Sequence, residues 1–96
     1  MRLIVKERAV TMAQDAFRWY ESKREGLGEE FLVELEKSLN LVKSQPTLFT
    51  TIKKNFRQSI LKRFPYIIVF EVFKSEIVVY SIFHMKQNPK TKFRKR

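Results

Sequence analysis

Residues 66–84, YIIVFEVFKSEIVVYSIFH, hold two apolar runs around one short polar break. The first, Tyr66–Phe73, is apolar on both faces except for Glu71, which is the pattern of a strand covered on both sides and therefore central in a sheet. Lys74, Ser75 and Glu76 form a tight polar turn, and Ile77–His84 is the strand that returns beside the first. Just upstream, FRQSILKRF (residues 56–64) alternates. Phe56, Gln58, Ile60 and Lys62 fall on one face and Arg57, Ser59, Leu61 and Arg63 on the other. Pro65 separates these two runs, at a strand start where a missing N–H is tolerated. Three consecutive antiparallel strands are expected. The same two-residue period puts His84, the single histidine, on a face with Tyr80 and Ile82.

Working outward, the period changes. Ala9, Ala13, Ala16, Phe17 and Tyr20 recur at helical spacing through VTMAQDAFRWYESK (residues 10–23), and Gly26 is placed to stop that helix. A second helix opens at GLG, with Phe31, Leu32, Leu35, Leu39 and Val42 as its apolar stripe. Glu29 and Glu30 in its first turn and Lys43 in its last suit the helix dipole, and Pro46 ends it. With so short a link the two helices should form a hairpin. Near the N-terminus, RLIVK (residues 2–6) reads as a short strand, whereas PTLFTTIKKN (residues 46–55) reads as a loop. The expected fold class is α+β, ordered β-α-α-β-β-β, with an N-terminal helix hairpin on one face of a small antiparallel-dominated sheet and the other face left over. One domain spans 1–96, and residues 86–96 form a basic C-terminal tail.

Composition narrows the chemistry. With no cysteine in 96 residues, disulfides and thiolate-bound zinc are excluded; a single histidine argues against a His-based metal cluster, and no metal or cofactor is expected. The apolar runs are too short to span a bilayer, and a charge interrupts the apolar start MRLIVKERAV, so neither a membrane nor a secretory signal is expected. A cytoplasmic protein fits. The charge is segregated: residues 1–50 carry eight Lys/Arg against eight Asp/Glu, whereas residues 51–96 carry twelve against two. The whole net charge of +10 therefore lies in the second half. Such a field steers a polyanion or an acidic protein partner.

Several local signatures occur together: Trp19-Tyr20-Glu21, Gly26-Leu27-Gly28, Arg63-Phe64-Pro65-Tyr66, and Ile82-Phe83-His84 followed by Pro89. In this combination, from Arg2 to Phe93, the chain resembles the RelE/ParE toxin superfamily of bacterial toxin–antitoxin modules. The resemblance implies a small growth-inhibiting toxin held inactive by a cognate antitoxin. Ribonuclease members of that superfamily cut messenger RNA on the ribosome, whereas ParE-type members inhibit DNA gyrase. Aligned with the best-known ribonuclease pattern, the basic catalytic positions fall on Gln58, Ile60, Ile67 and Gln87, none of which is basic. The strand-end histidine is closer to the ParE-like branch. The resemblance therefore implies a ParE-like toxin that binds gyrase. The alternatives it leaves are a ribosome-dependent endonuclease and a degenerate homologue that binds antitoxin without harm.

Candidate residues follow from both readings. A nuclease would need groups to take the 2′-OH proton, neutralise the transition state and protonate the leaving oxygen. The available set is His84 with Arg57, Arg63 and Lys86. A binding protein would use Arg57, Lys62, Arg63 and His84, with Lys90, Lys92, Phe93 and Arg94 of the tail tracking phosphate or carboxylate groups. Against this, Lys and Arg on a strand edge also discourage aggregation, and a strand-end histidine needs no further role. Trp19 and Tyr20 are expected to pack rather than to form a stacking platform.

Overall fold

A computed structural model describes residues 1–87 of the chain. Its elements are β1 (Arg2–Val5), α1 (Glu7–Lys23), α2 (Leu27–Ser44), a 3-10 turn (Pro46–Leu48), β2 (Thr51–Lys53), β3 (Phe56–Ile60), β4 (Tyr66–Val72) and β5 (Glu76–His84). The strands form one mixed sheet in the order β1-β5-β4-β3-β2. β1 pairs with β5 in parallel and every other pair is antiparallel. The doubly apolar run is the middle strand, as its pattern requires.

Two differences from the sequence reading are local. The segment expected as a loop contains β2, three residues long, joined to β3 through a turn in which Lys54 takes φ 53°. Helix α1 stops at Lys23, before Gly26, and Gly26 instead serves the start of α2 with φ 87°. The carboxylate of Glu21 fastens the turn by accepting the N–H groups of Gly26 and Gly28, each at 2.9 Å. Two of the first-turn donors that a helix leaves open thus find an anion, without a side-chain cap.

The hairpin lies on one face of the sheet. Ala9, Ala16 and Tyr20 of α1 and Phe31, Leu35 and Val42 of α2 bury against Ile68, Phe70, Ile77, Val79 and Ile82. An aromatic knot closes one end: the Tyr20 ring is 5.4 Å from Phe31 and 4.8 Å from Phe64, and Tyr66 is 5.1 Å from Phe31. The opposite face is no bare surface. Phe56, Ile67, Val69, Val78, Tyr80 and Phe83 form a second buried cluster there, in which the Tyr80 hydroxyl donates to the buried Glu71 carboxylate at 2.8 Å.

One irregularity in β5 changes which face each residue meets. Val69 pairs with Ser81 and Phe70 with Val79, so Tyr80 is an extra residue in the ladder. A bulge of this kind shifts the alternation by one. Before it, Ile77 and Val79 meet the helices while Val78 and Tyr80 meet the second cluster. After it, Ile82 meets the helices and Phe83 the second cluster. His84, paired with Tyr66, therefore lies on the helix side with Ile82, and Tyr80 lies across the sheet. The expectation that all three share a face is corrected by this single residue.

Candidate functional site: a cleft between the first helix and the end of the last strand

Along α1, Met12, Asp15, Ala16 and Trp19 follow the i, i+3, i+4, i+7 spacing of one helix face. Across from them stand Tyr66 of β4, Ile82 and His84 of β5, and then Lys86 and Gln87. Together these residues line a cleft of about 410 Å3. Trp19 is 55% exposed, so it is not the packing residue expected of it. Its ring meets Tyr20 edge-on at 5.0 Å, and the Lys23 ammonium lies 4.9 Å from its centroid. Asp15, on the same wall, is paired with Arg18 at 3.0 Å.

His84 is held from three sides. Its ring is edge-on to Tyr66 at 5.2 Å. Its Nδ1 accepts the Lys86 backbone N–H at 3.0 Å, and its own backbone N–H donates to Gln87 Oε1 at 2.7 Å. The turn itself is pinned by the Met85 N–H, which donates to the Pro65 carbonyl at 2.8 Å. With Nδ1 used as an acceptor, the neutral ring carries its proton on Nε2, which is left to act as a donor. Burial pushes the Tyr66 phenol above its ordinary value, with Tyr20 adding to the shift. Tyr66 is therefore a neutral wall of the cleft and no base.

The remaining candidate cations are elsewhere. Arg57 donates to the Phe49 carbonyl at 2.6 Å, tying β3 to the loop after α2. Arg63 donates its guanidinium to Glu30 at 2.7 Å and its backbone N–H to Glu34 at 2.9 Å, tying the β3–β4 loop to α2. Lys62 is exposed on that loop. Lys90, Lys92, Phe93 and Arg94 lie outside the described residues. Of the four residues that could form a catalytic set, the structure brings only His84 and Lys86 to the cleft. Three of the positions where the ribonuclease pattern would place basic groups turn away altogether. Gln58 and Ile60 pair with Val69 and Ile67, so these side chains belong to the face opposite His84. Among the described residues no group of three or more His, Cys, Asp or Glu could hold a metal, and no helix is long and apolar enough to cross a membrane.

The sequence reading missed Met12, Asp15 and Ala16 as cleft residues. Their spacing was available, but it overlaps the buried stripe of the same helix.

The family model for the ParE toxin of the type II toxin–antitoxin system parDE matches residues 3–89. The chain belongs to the ParE toxin family. Among solved structures, this ParE-family chain is similar to one described as the chromosomal ParDE toxin–antitoxin system from P. aeruginosa. The TM-score is 0.74 at 17% identity, covering 88% of this chain and 95% of that one. At that identity the likeness speaks to the fold. No curated protein matches the chain. ParE-family membership implies an antitoxin partner for this toxin.

Proposed function

We propose that this ParE-family chain arrests growth by binding DNA gyrase, and that a cognate antitoxin neutralises it by covering its surface with an acidic or amphipathic segment. The observation that carries the reading is where the cations go. Arg57 and Arg63 are spent on hydrogen bonds that hold loops, and the residues at the aligned ribonuclease positions Gln58, Ile60 and Ile67 face away from the imidazole. General acid–base chemistry on a phosphodiester needs its donors and acceptors within hydrogen-bond reach of one reacting centre. A contact surface has no such requirement. It needs exposed apolar groups with charge around them, and Trp19, Met85 and Lys86 supply both near His84. The setting for such a function is the cytoplasm, where gyrase and an antitoxin would be met.

The test is gyrase-driven DNA supercoiling titrated with the purified full chain, with and without antitoxin. Inhibition at micromolar toxin, relieved by stoichiometric antitoxin, is the expected result. Untouched supercoiling with no complex formed would remove gyrase as the target.

One observation favours a second reading. His84 stands in a cleft large enough for a nucleotide, with Lys86 on its wall. A ribosome-dependent endonuclease would use that pair, and it would leave new 5′ ends in translated messages.

A further inference from the structure

We infer that the cleft between α1 and the end of β5 is the anchor pocket for an acidic peptide segment of a protein partner, which inserts one aromatic side chain against Trp19. The inference deepens the reading above and rests on it, in that it takes the chain to act through protein contacts.

Three observations converge on this occupant. The first is shape and lining. Met12, Ala16, Trp19, Tyr66 and Ile82 make the walls mostly apolar, and a volume of about 410 Å3 lies at the lower end of small-ligand sites. That is room for a large side chain with part of its backbone. An aromatic ring there could meet the edges and faces of Trp19 and Tyr66 in the offset or T-shaped geometry such rings prefer.

The second is charge. The one acid on the wall, Asp15, is already paired with Arg18. Lys23 stands over the Trp19 ring, and Lys86 lines the opposite side. The Met85 backbone bond to Pro65 brings the exposed Lys62 loop alongside the same turn. An apolar pocket with a cationic rim favours an apolar anchor flanked by carboxylates.

The third is the imidazole. Its Nδ1 is occupied by the Lys86 N–H, and its ring is braced by Tyr66, so in the neutral ring Nε2 is a fixed donor. A peptide carbonyl or carboxylate next to the anchor would accept from it. His84 is thereby a specificity contact, the binding role that the sequence left open beside catalysis and strand-end structure.

Trp19 is the single tryptophan of the chain, so its emission reports the cleft directly. The full-length protein is titrated with a peptide of one phenylalanine flanked by glutamates, and with the same peptide carrying alanine in place of phenylalanine. A saturable change in Trp19 emission with the phenylalanine peptide is expected. The alanine peptide should be roughly tenfold weaker or worse, since truncating a buried aromatic anchor commonly costs that much. Lys86→Glu and His84→Ala should each weaken the phenylalanine peptide, and Lys37→Glu, on the outer face of α2, should not. Far-UV circular dichroism checks that each variant is folded. Equal responses to the two peptides, no response at millimolar peptide, or a stronger response to dAMP would each overturn the assignment, the last in favour of a nucleotide site. Peptide binding without any effect of the toxin on supercoiling would sink gyrase as the target and leave the pocket standing. Inhibited supercoiling with a silent Trp19 would do the reverse.

Discussion

Gly26 and Gly28 stand two residues apart in the turn between the helices and are needed for opposite reasons. Around Gly26 space is open, but its φ of 87° lies where an L side chain is strained. Gly28 has ordinary helical geometry, yet a Cβ there would sit 2.7 Å from Phe17 Cδ1 and 2.8 Å from the Phe17 carbonyl oxygen. The ring could yield; the backbone oxygen cannot without separating the helices. Gly26→Ala should therefore cost about 1–2 kcal/mol, and Gly26→Asn less, because Asn tolerates the left-handed region. Gly28→Ala should cost about 1–3 kcal/mol as overpacking. Urea unfolding midpoints measure all three, and a neutral Gly28→Ala would show that the helices are not in close contact there. The tyrosines give a second prediction. Burial raises Tyr20 and Tyr66, and burial together with the Glu71 carboxylate pushes Tyr80 up to about 12. Each phenol is thus neutral longer in the folded chain than in the unfolded one. Their contribution to stability is intact below pH 10 and is lost as pH rises through the raised values. An ultraviolet titration of the native protein should show every phenol midpoint above the ordinary pH 10, with Tyr80 the last to ionise; Tyr20, Tyr66 and Tyr80 are all three tyrosines of the chain. A native midpoint at or below 10 for any of them would contradict the burial described.

Among the elements, the β3–β4 loop is the one that chemistry rather than pattern explains. Glu30 bridges Arg63 and Arg24, and those hydrogen bonds, Arg63 first, hold its carboxyl below the ordinary 4.5. A depressed carboxylate supports the fold above its unfolded value, and that support is lost as pH falls through the folded one. Arg63→Ala should move the Glu30 titration back toward 4.5, read from its carboxyl carbon by nuclear magnetic resonance; an unmoved midpoint would mean the bridge does not form in solution. None of this was legible from residues 56–64, where Arg63 looked like a surface cation on a strand continuing to Phe64. The strand ends at Ile60, and the arginine turns to α2 instead. Much else at this scale could be read. The stripe Phe31-Leu35-Val42 and the doubly apolar β4 are long, strong patterns, and both elements stand where those patterns put them. Short or phase-breaking features were invisible. β2 is three mostly polar residues, and the bulge at Tyr80 is not readable in a run whose one polar member between Ile77 and Phe83, Ser81, is itself fully buried. That bulge decides which face His84 occupies, so half of the candidate site depended on a residue with no sequence signature. Trp19 was misread because it neighbours the buried Tyr20, and one helical step separates a core position from an exposed one.

For the whole molecule, the function proposed above is action by contact with a partner rather than by cleavage of a bond. The fold separates the groups a nuclease would gather: His84 on the helix side, Gln58, Ile60 and Ile67 of the aligned catalytic positions across the sheet, and two arginines committed to loops; the fourth aligned position, in the cleft beside His84, is the uncharged Gln87. The charge asymmetry of the chain remains, and an acidic partner accounts for it without any reaction. Transcriptome-wide mapping of 5′ ends in cells soon after toxin induction tests this most directly. The account predicts growth arrest with no new ends in translated messages. New ends that appear with induction and vanish in His84→Ala would contradict it.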